Sequence, residues 1–152
     1  MKAASQSVRN ILALLAIAVG LFMVIGAPIL IQVSMERVVA SLIEVSKDKP
    51  AYSSGILLFS YTYPLYRGLI FIGGIALLLL AVPIYRGQER TYPAALLAAA
   101  FPSAGGMFMF LPYVSWVDGF PLPMVISLAG LSCFWPFILL RNADKWQKWG
   151  QF

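Results

Sequence analysis

The sequence has no histidine, a single cysteine and only six acidic residues among 152, and each scarcity removes a class of chemistry. Without imidazole, haem held by two histidines, the usual zinc sites and histidine-based acid–base catalysis are excluded. One thiol, Cys133, cannot form a dithiol redox centre within a single chain. It lies in an apolar run beside Phe134 and Trp135 and reads as a small packing residue, because a reactive thiol needs an electropositive, partly exposed setting. The stretches 11–33, 68–85, 92–116 and 120–140 contain no charged residue, so the intramembrane ionisable group that usually marks proton-coupled transport is missing. Glu36, Glu44, Asp48 and Asp118, with Arg37 or Arg67, show no diagnostic spacing and read as solvated surface charges. No catalytic, metal or cofactor site is expected.

What is present is apolar surface. The chain is 61% hydrophobic with a mean hydropathy of +0.83, and the four charge-free stretches make up more than half of it. Each is close to the roughly 20 helical residues that cross about 30 Å of hydrocarbon. Four such runs cannot be hidden inside a soluble fold of this size. The alternating polarity of a membrane barrel strand is absent, and helices satisfy their own backbone in lipid. The expected fold is therefore all-α: an integral membrane bundle of four transmembrane helices, a single polytopic domain over residues 1–152. Lys2 and Arg9 before the first run imitate a signal peptide, but the run is long and no small-x-small cleavage pattern follows, so it reads as a true span.

Orientation follows from the basic residues. Lys2, Arg9, Arg86, Arg90, Arg141, Lys145 and Lys148 fall on one side, whereas Arg37, Lys47, Lys49 and Arg67 on the other are spread out and interleaved with Glu36, Glu44 and Asp48. The positive-inside bias puts both termini in the cytoplasm. The net charge of +5 then reports topology and gives no reason to expect a nucleic-acid partner. The absence of an Asn-x-Ser/Thr sequon is compatible with a prokaryotic plasma (inner) membrane.

Two connections, 86–91 and 117–119, are short and make antiparallel hairpins of the last three spans. The exception is the outer segment 34–67. There Met35, Val38, Val39 and Leu42 recur at helical spacing and predict a short amphipathic helix lying on the bundle or the headgroups. Lys47-Asp48-Lys49-Pro50 breaks it. The aromatic run that follows predicts a second short interfacial helix, or an extension of the second span interrupted near Pro64.

The third span carries the strongest packing signal. Ala94, Ala98, Pro102 and Gly106 repeat every four residues, with Gly105 alongside, and Ala95, Ala99 and Ser103 form the adjacent row. In lipid, such faces let backbones approach and gain van der Waals contact. Gly73 and Gly74 in the second span, and Ser127, Gly130 and Cys133 in the fourth, are the expected counterparts. Prolines recur in every span, and Pro102, followed by Ser103-Ala104-Gly105-Gly106, is the expected functional break. In the tail 141–152, Lys145, Trp146, Lys148 and Trp149 read as a membrane-interface anchor or a docking element.

The leading functional expectation is a non-catalytic accessory or assembly subunit of a larger membrane complex, with membrane lipids and either other integral subunits or further copies as partners. The alternatives are a small oligomeric transporter or channel and a lipid- or quinone-handling membrane enzyme using the outer charges.

Overall fold

A computed structural model of the chain describes residues 5–141. It contains helices α1 (Gln6–Leu21), α2 (Ala27–Asp48), α3 (Ser53–Tyr85), α4 (Thr91–Trp116) and α5 (Leu122–Arg141). No strand occurs among the described residues. A π-helical turn, Phe22–Gly26, joins α1 to α2 without a gap, so that Gln6–Asp48 is one helix of 43 residues. Four helices are thus long and apolar enough to cross a membrane: Gln6–Asp48, Pro50–Tyr85, Thr91–Trp116 and Leu122–Leu140.

The chemistry of the ends sets the boundaries. Ser5 caps α1, its Oγ accepting from the Val8 amide at 3.4 Å. α3 stops at Gly87, whose φ of 76° closes a Schellman turn. Gly87 N donates to Ile84 O at 2.9 Å and Gln88 N to Pro83 O at 3.0 Å, which satisfies carbonyls that the helix end would leave free. The Arg9 side chain also lies where a Cβ on Gly87 would sit. The π turn has a local cause in Pro28. A proline there cannot donate to Val24 and its ring crowds that carbonyl. The wider turn, in which Ala27 N donates to Phe22 O, makes room for it.

The helices surround one buried core that runs the length of the bundle, from Leu12, Ala16, Ile84 and Phe137 at one end to Leu42, Tyr63 and Tyr113 at the other. Packing neighbours follow the ring α1/α2, α3, α4, α5. Leu14, Ile25, Ile72, Leu79 and Leu97 face outward and are exposed, as expected for surfaces that meet lipid.

The outer segment differs from the sequence expectation. Residues 34–48 continue the first spanning helix and 53–67 begin the second, joined only by Lys49 and the turn Pro50–Tyr52. No separate interfacial helix forms; of the two forms expected for the later part, the extension of the second span is the one found. The periodic residues Val38 and Leu42 are buried, but they extend the face already set by Ala27, Ile31 and Ser34, so the amphipathic pattern belongs to a longer helix. Pro64 does not interrupt α3, and α4 runs through Pro102 and Pro112. A proline costs a helix one hydrogen bond, and neighbouring helices in a bundle compensate for it.

Candidate functional site

Close approach of backbones dominates the interior. A Cβ added to Gly74 would lie 2.7 Å from Met23 Cβ and 3.0 Å from Gly20 O, and one added to Gly20 would lie 3.0 Å from Gly74 O. The neighbouring Gly73 faces α4 instead, where an added Cβ would be 2.9 Å from Ala98 O and 3.3 Å from Pro102 Cδ. Adjacent residues on a helix differ by about 100° in direction, so this pair of glycines lets α3 touch α1 and α4 at one level. Ala98 O is the carbonyl that Pro102 deprives of its usual donor. It lies against Gly73.

On the other side of α4, a Cβ on Gly106 would lie 2.5 Å from Ser127 N and 2.9 Å from Pro123 O, and one on Gly130 would lie 2.7 Å from Ser103 N and 3.1 Å from Ala99 O. The crossing is pinned by Ser127 Oγ, which donates to Ser103 O at 2.9 Å. Gly105 turns toward α3, within 3.1 Å of Ile70 Cδ1 for an added Cβ. Ala98, Pro102, Gly105, Gly106, Gly73, Gly74 and Gly130 are all buried. Ala94 is exposed, and the inward row at that level consists of Tyr92, Ala95 and Ala99. Gly20, which the sequence reading did not single out, completes the α1 crossing.

Because Gly106 lies level with Pro123 to Ser127, in the first turns of α5, the last two turns or so of α4 rise beyond α5, about 10 Å. α2 and α3 rise with it. Arg37 Nη1 donates to Tyr113 Oη at 3.1 Å, Tyr63 Oη to Met109 O at 3.4 Å, and Tyr52 packs edge-on against Trp116 with centroids 5.3 Å apart. Tyr63 and Tyr113 are buried, so their hydroxyls are the polar contents of the core at this end, together with Ser34, whose Oγ donates to Leu30 O at 2.6 Å.

The outer surface of this projection is apolar. Leu57 is 63% exposed, Leu58 59%, Tyr61 77% and Leu65 62%. Leu58 also lines a groove of about 310 Å³ between α3 and α4, with Phe59, Thr62, Tyr66, Phe108, Met109 and Pro112 among others. A second groove, about 370 Å³, lies between α1 and α3 at the opposite end, with Asn10 and Tyr85 at its polar edge and Ala13, Leu14, Ile17 and Val82 along it.

Arg67 is the one charged residue of the helix Pro50–Tyr85. It is exposed and forms no hydrogen bond or ion pair with a described residue; the ion pair found among those is Lys47–Glu44 at 2.8 Å, both well exposed. Glu36 accepts from Gln32 Nε2 at 2.8 Å, and Glu36, Asp48 and Asp118 enter no ion pair within the described residues. Those residues contain no cluster of three potential metal ligands. Cys133 is buried. Lys145, Trp146, Lys148 and Trp149 lie outside the described residues.

No family model matches the chain, and neither a curated protein nor a solved structure does.

Proposed function

We propose that the chain is a non-catalytic accessory or assembly subunit of a larger membrane complex, a multi-pass protein of a plasma membrane of prokaryotic type with both termini in the cytoplasm. The observation that carries this reading is the surface of the part rising beyond α5. Its core is filled and the hydroxyls of Tyr63 and Tyr113 are bonded inward, yet it turns Leu57, Leu58, Tyr61 and Leu65 outward.

The length of α5, about 30 Å for its 20 residues, matches the hydrocarbon thickness. Side chains on α2–α4 beyond that level therefore stand among headgroups or in water, where a contiguous apolar face is a mark of an interaction site. The distribution of charge supports the orientation: among the described residues, Arg9, Arg86, Arg90 and Arg141 stand against Glu89 alone at the end carrying the chain's N-terminus, and a mixed set at the other. On this reading the projection lies outside the cytoplasm.

The test is purification of the tagged full-length chain from its native membrane in mild detergent, followed by native mass analysis. Stoichiometric foreign subunits are the expected result. A monomer or self-contained oligomer, with or without bound lipid, refutes the accessory role and moves the weight to transport or to lipid chemistry.

A further inference from the structure

Six of the glycines within the spanning helices, Gly20, Gly73, Gly74, Gly105, Gly106 and Gly130, abut a neighbouring helix so closely that an added Cβ would come within about 3 Å of it. Gly68 does not. It lies within α3 and nothing stands within 4 Å of where its Cβ would be. A helix-interior glycine costs about 1 kcal/mol relative to alanine when nothing uses the space it leaves. It falls on a stripe of α3, with Leu57, Tyr61, Leu65, Ile72 and Leu79, whose other members are exposed apolar residues at helical spacing.

At the edge of the same stripe stands Arg67, which has no acceptor among the described residues. It is 18 residues from Tyr85, about 27 Å along the helix, which places its guanidinium near the boundary of the hydrocarbon layer. A lone cation in a long apolar helix is costly and is normally paired with an anion or drawn to the headgroups. A phospholipid phosphate there would leave the residues above it, Leu57, Tyr61 and Leu65, uncovered for a further 15 Å or so. One ligand class covers the stripe on both sides of Arg67 and also supplies an anion: an apolar helix.

Resting on the accessory reading, we infer that this stripe of α3 docks one transmembrane helix of the partner subunit, with a small residue against Gly68 and an Asp or Glu paired to Arg67. The guanidinium and the carboxylate form a charge-assisted pair at the edge of the low-dielectric layer. The glycine lets the two backbones close as they do at Gly20 and Gly74.

The experiment uses the full-length chain in its native membrane. A photoreactive phenylalanine at Leu65 or Ile72 is expected to cross-link to a spanning segment of one foreign subunit that carries a carboxylate, whereas the same probe at Leu97 on α4 does not. Gly68→Leu and Arg67→Asp are each expected to reduce that subunit's recovery at least tenfold, while neither lowers helicity by circular dichroism or melting in detergent below the parent's, because neither side chain packs within the bundle and removing the helix-interior glycine favours the helix. Exchanging the partner's carboxylate for Arg is expected to restore recovery of Arg67→Asp. A foreign subunit retained equally by both variants overturns this inference and leaves the accessory role standing. Cross-links to a second copy of the chain, or to lipid alone, overturn both.

Discussion

Gly20 on α1 and Gly74 on α3 meet backbone to backbone, each lying where a Cβ on the other would come within 3.0 Å of its carbonyl oxygen. Neither oxygen can retreat without moving a helix. Gly74→Val and Gly20→Val are therefore each expected to destabilise the bundle by about 1–3 kcal/mol, the usual cost of overpacking. The two crowd a single crossing, so the double variant costs less than the sum. Reversible unfolding in mixed detergent micelles measures all three, and strict additivity would show that the residues do not share a contact.

The crossing of α4 and α5 separates steric from hydrogen-bonding contributions. Ser127→Ala removes the bond to Ser103 O, worth about 0.6 kcal/mol by comparison with other hydrogen bonds between membrane helices. Gly106→Ala places a methyl 2.5 Å from Ser127 N and 2.9 Å from Pro123 O. Both obstacles are backbone, and about 1–3 kcal/mol is expected. The predicted order is thus Gly106→Ala well above Ser127→Ala in the same unfolding assay, and equal losses would contradict the close approach.

Arg37 ties α2 to α4 through Tyr113, which is fully buried. A double-mutant cycle with Arg37→Gln and Tyr113→Phe is expected to give a coupling of roughly 0.5–1.5 kcal/mol, the net worth of one such bond. A coupling near zero would mean that the two side chains do not meet in solution.

The spanning helices were legible because charge-free runs of 18 residues or more have few other uses, and the breaks at 86–91 and near 117–119 are marked by Gly87 and Gly119, both at positive φ. The small residues of the third span were visible as a pattern, but a pattern does not fix rotation. Ala94 belongs to the same four-residue series as Ala98 and Pro102 and still faces outward, because a straight helix of 3.6 residues per turn drifts off a strict period of four. Gly20 was missed since a lone glycine among Ala and Leu carries no series. The pairing of Tyr63 with Met109 and of Arg37 with Tyr113 joins residues 46 and 76 positions apart, and nothing local in the sequence signals it.

The outer segment was misjudged for a reason that can itself be tested. The helical spacing of Met35, Val38, Val39 and Leu42 suggested a short amphipathic helix of its own, whereas α2 continues its buried face through Ile31, Ser34, Val38 and Leu42 to the tip. A rigid continuation and an independent interfacial helix respond differently to insertion. Two alanines after Val39 rotate everything beyond by about 200°, turning Leu42 away from Gly55, to which it now lies close. A separately hinged helix would absorb the change. Two glycines after Lys49 only lengthen the connection to α3, and loop-closure entropy rises slowly with length. The expected outcome is a clear loss of melting temperature for the first insertion and little change for the second, followed by circular dichroism in detergent. If both insertions are tolerated alike, residues 40–48 do not pack on α3 and the projection is not one body with the bundle.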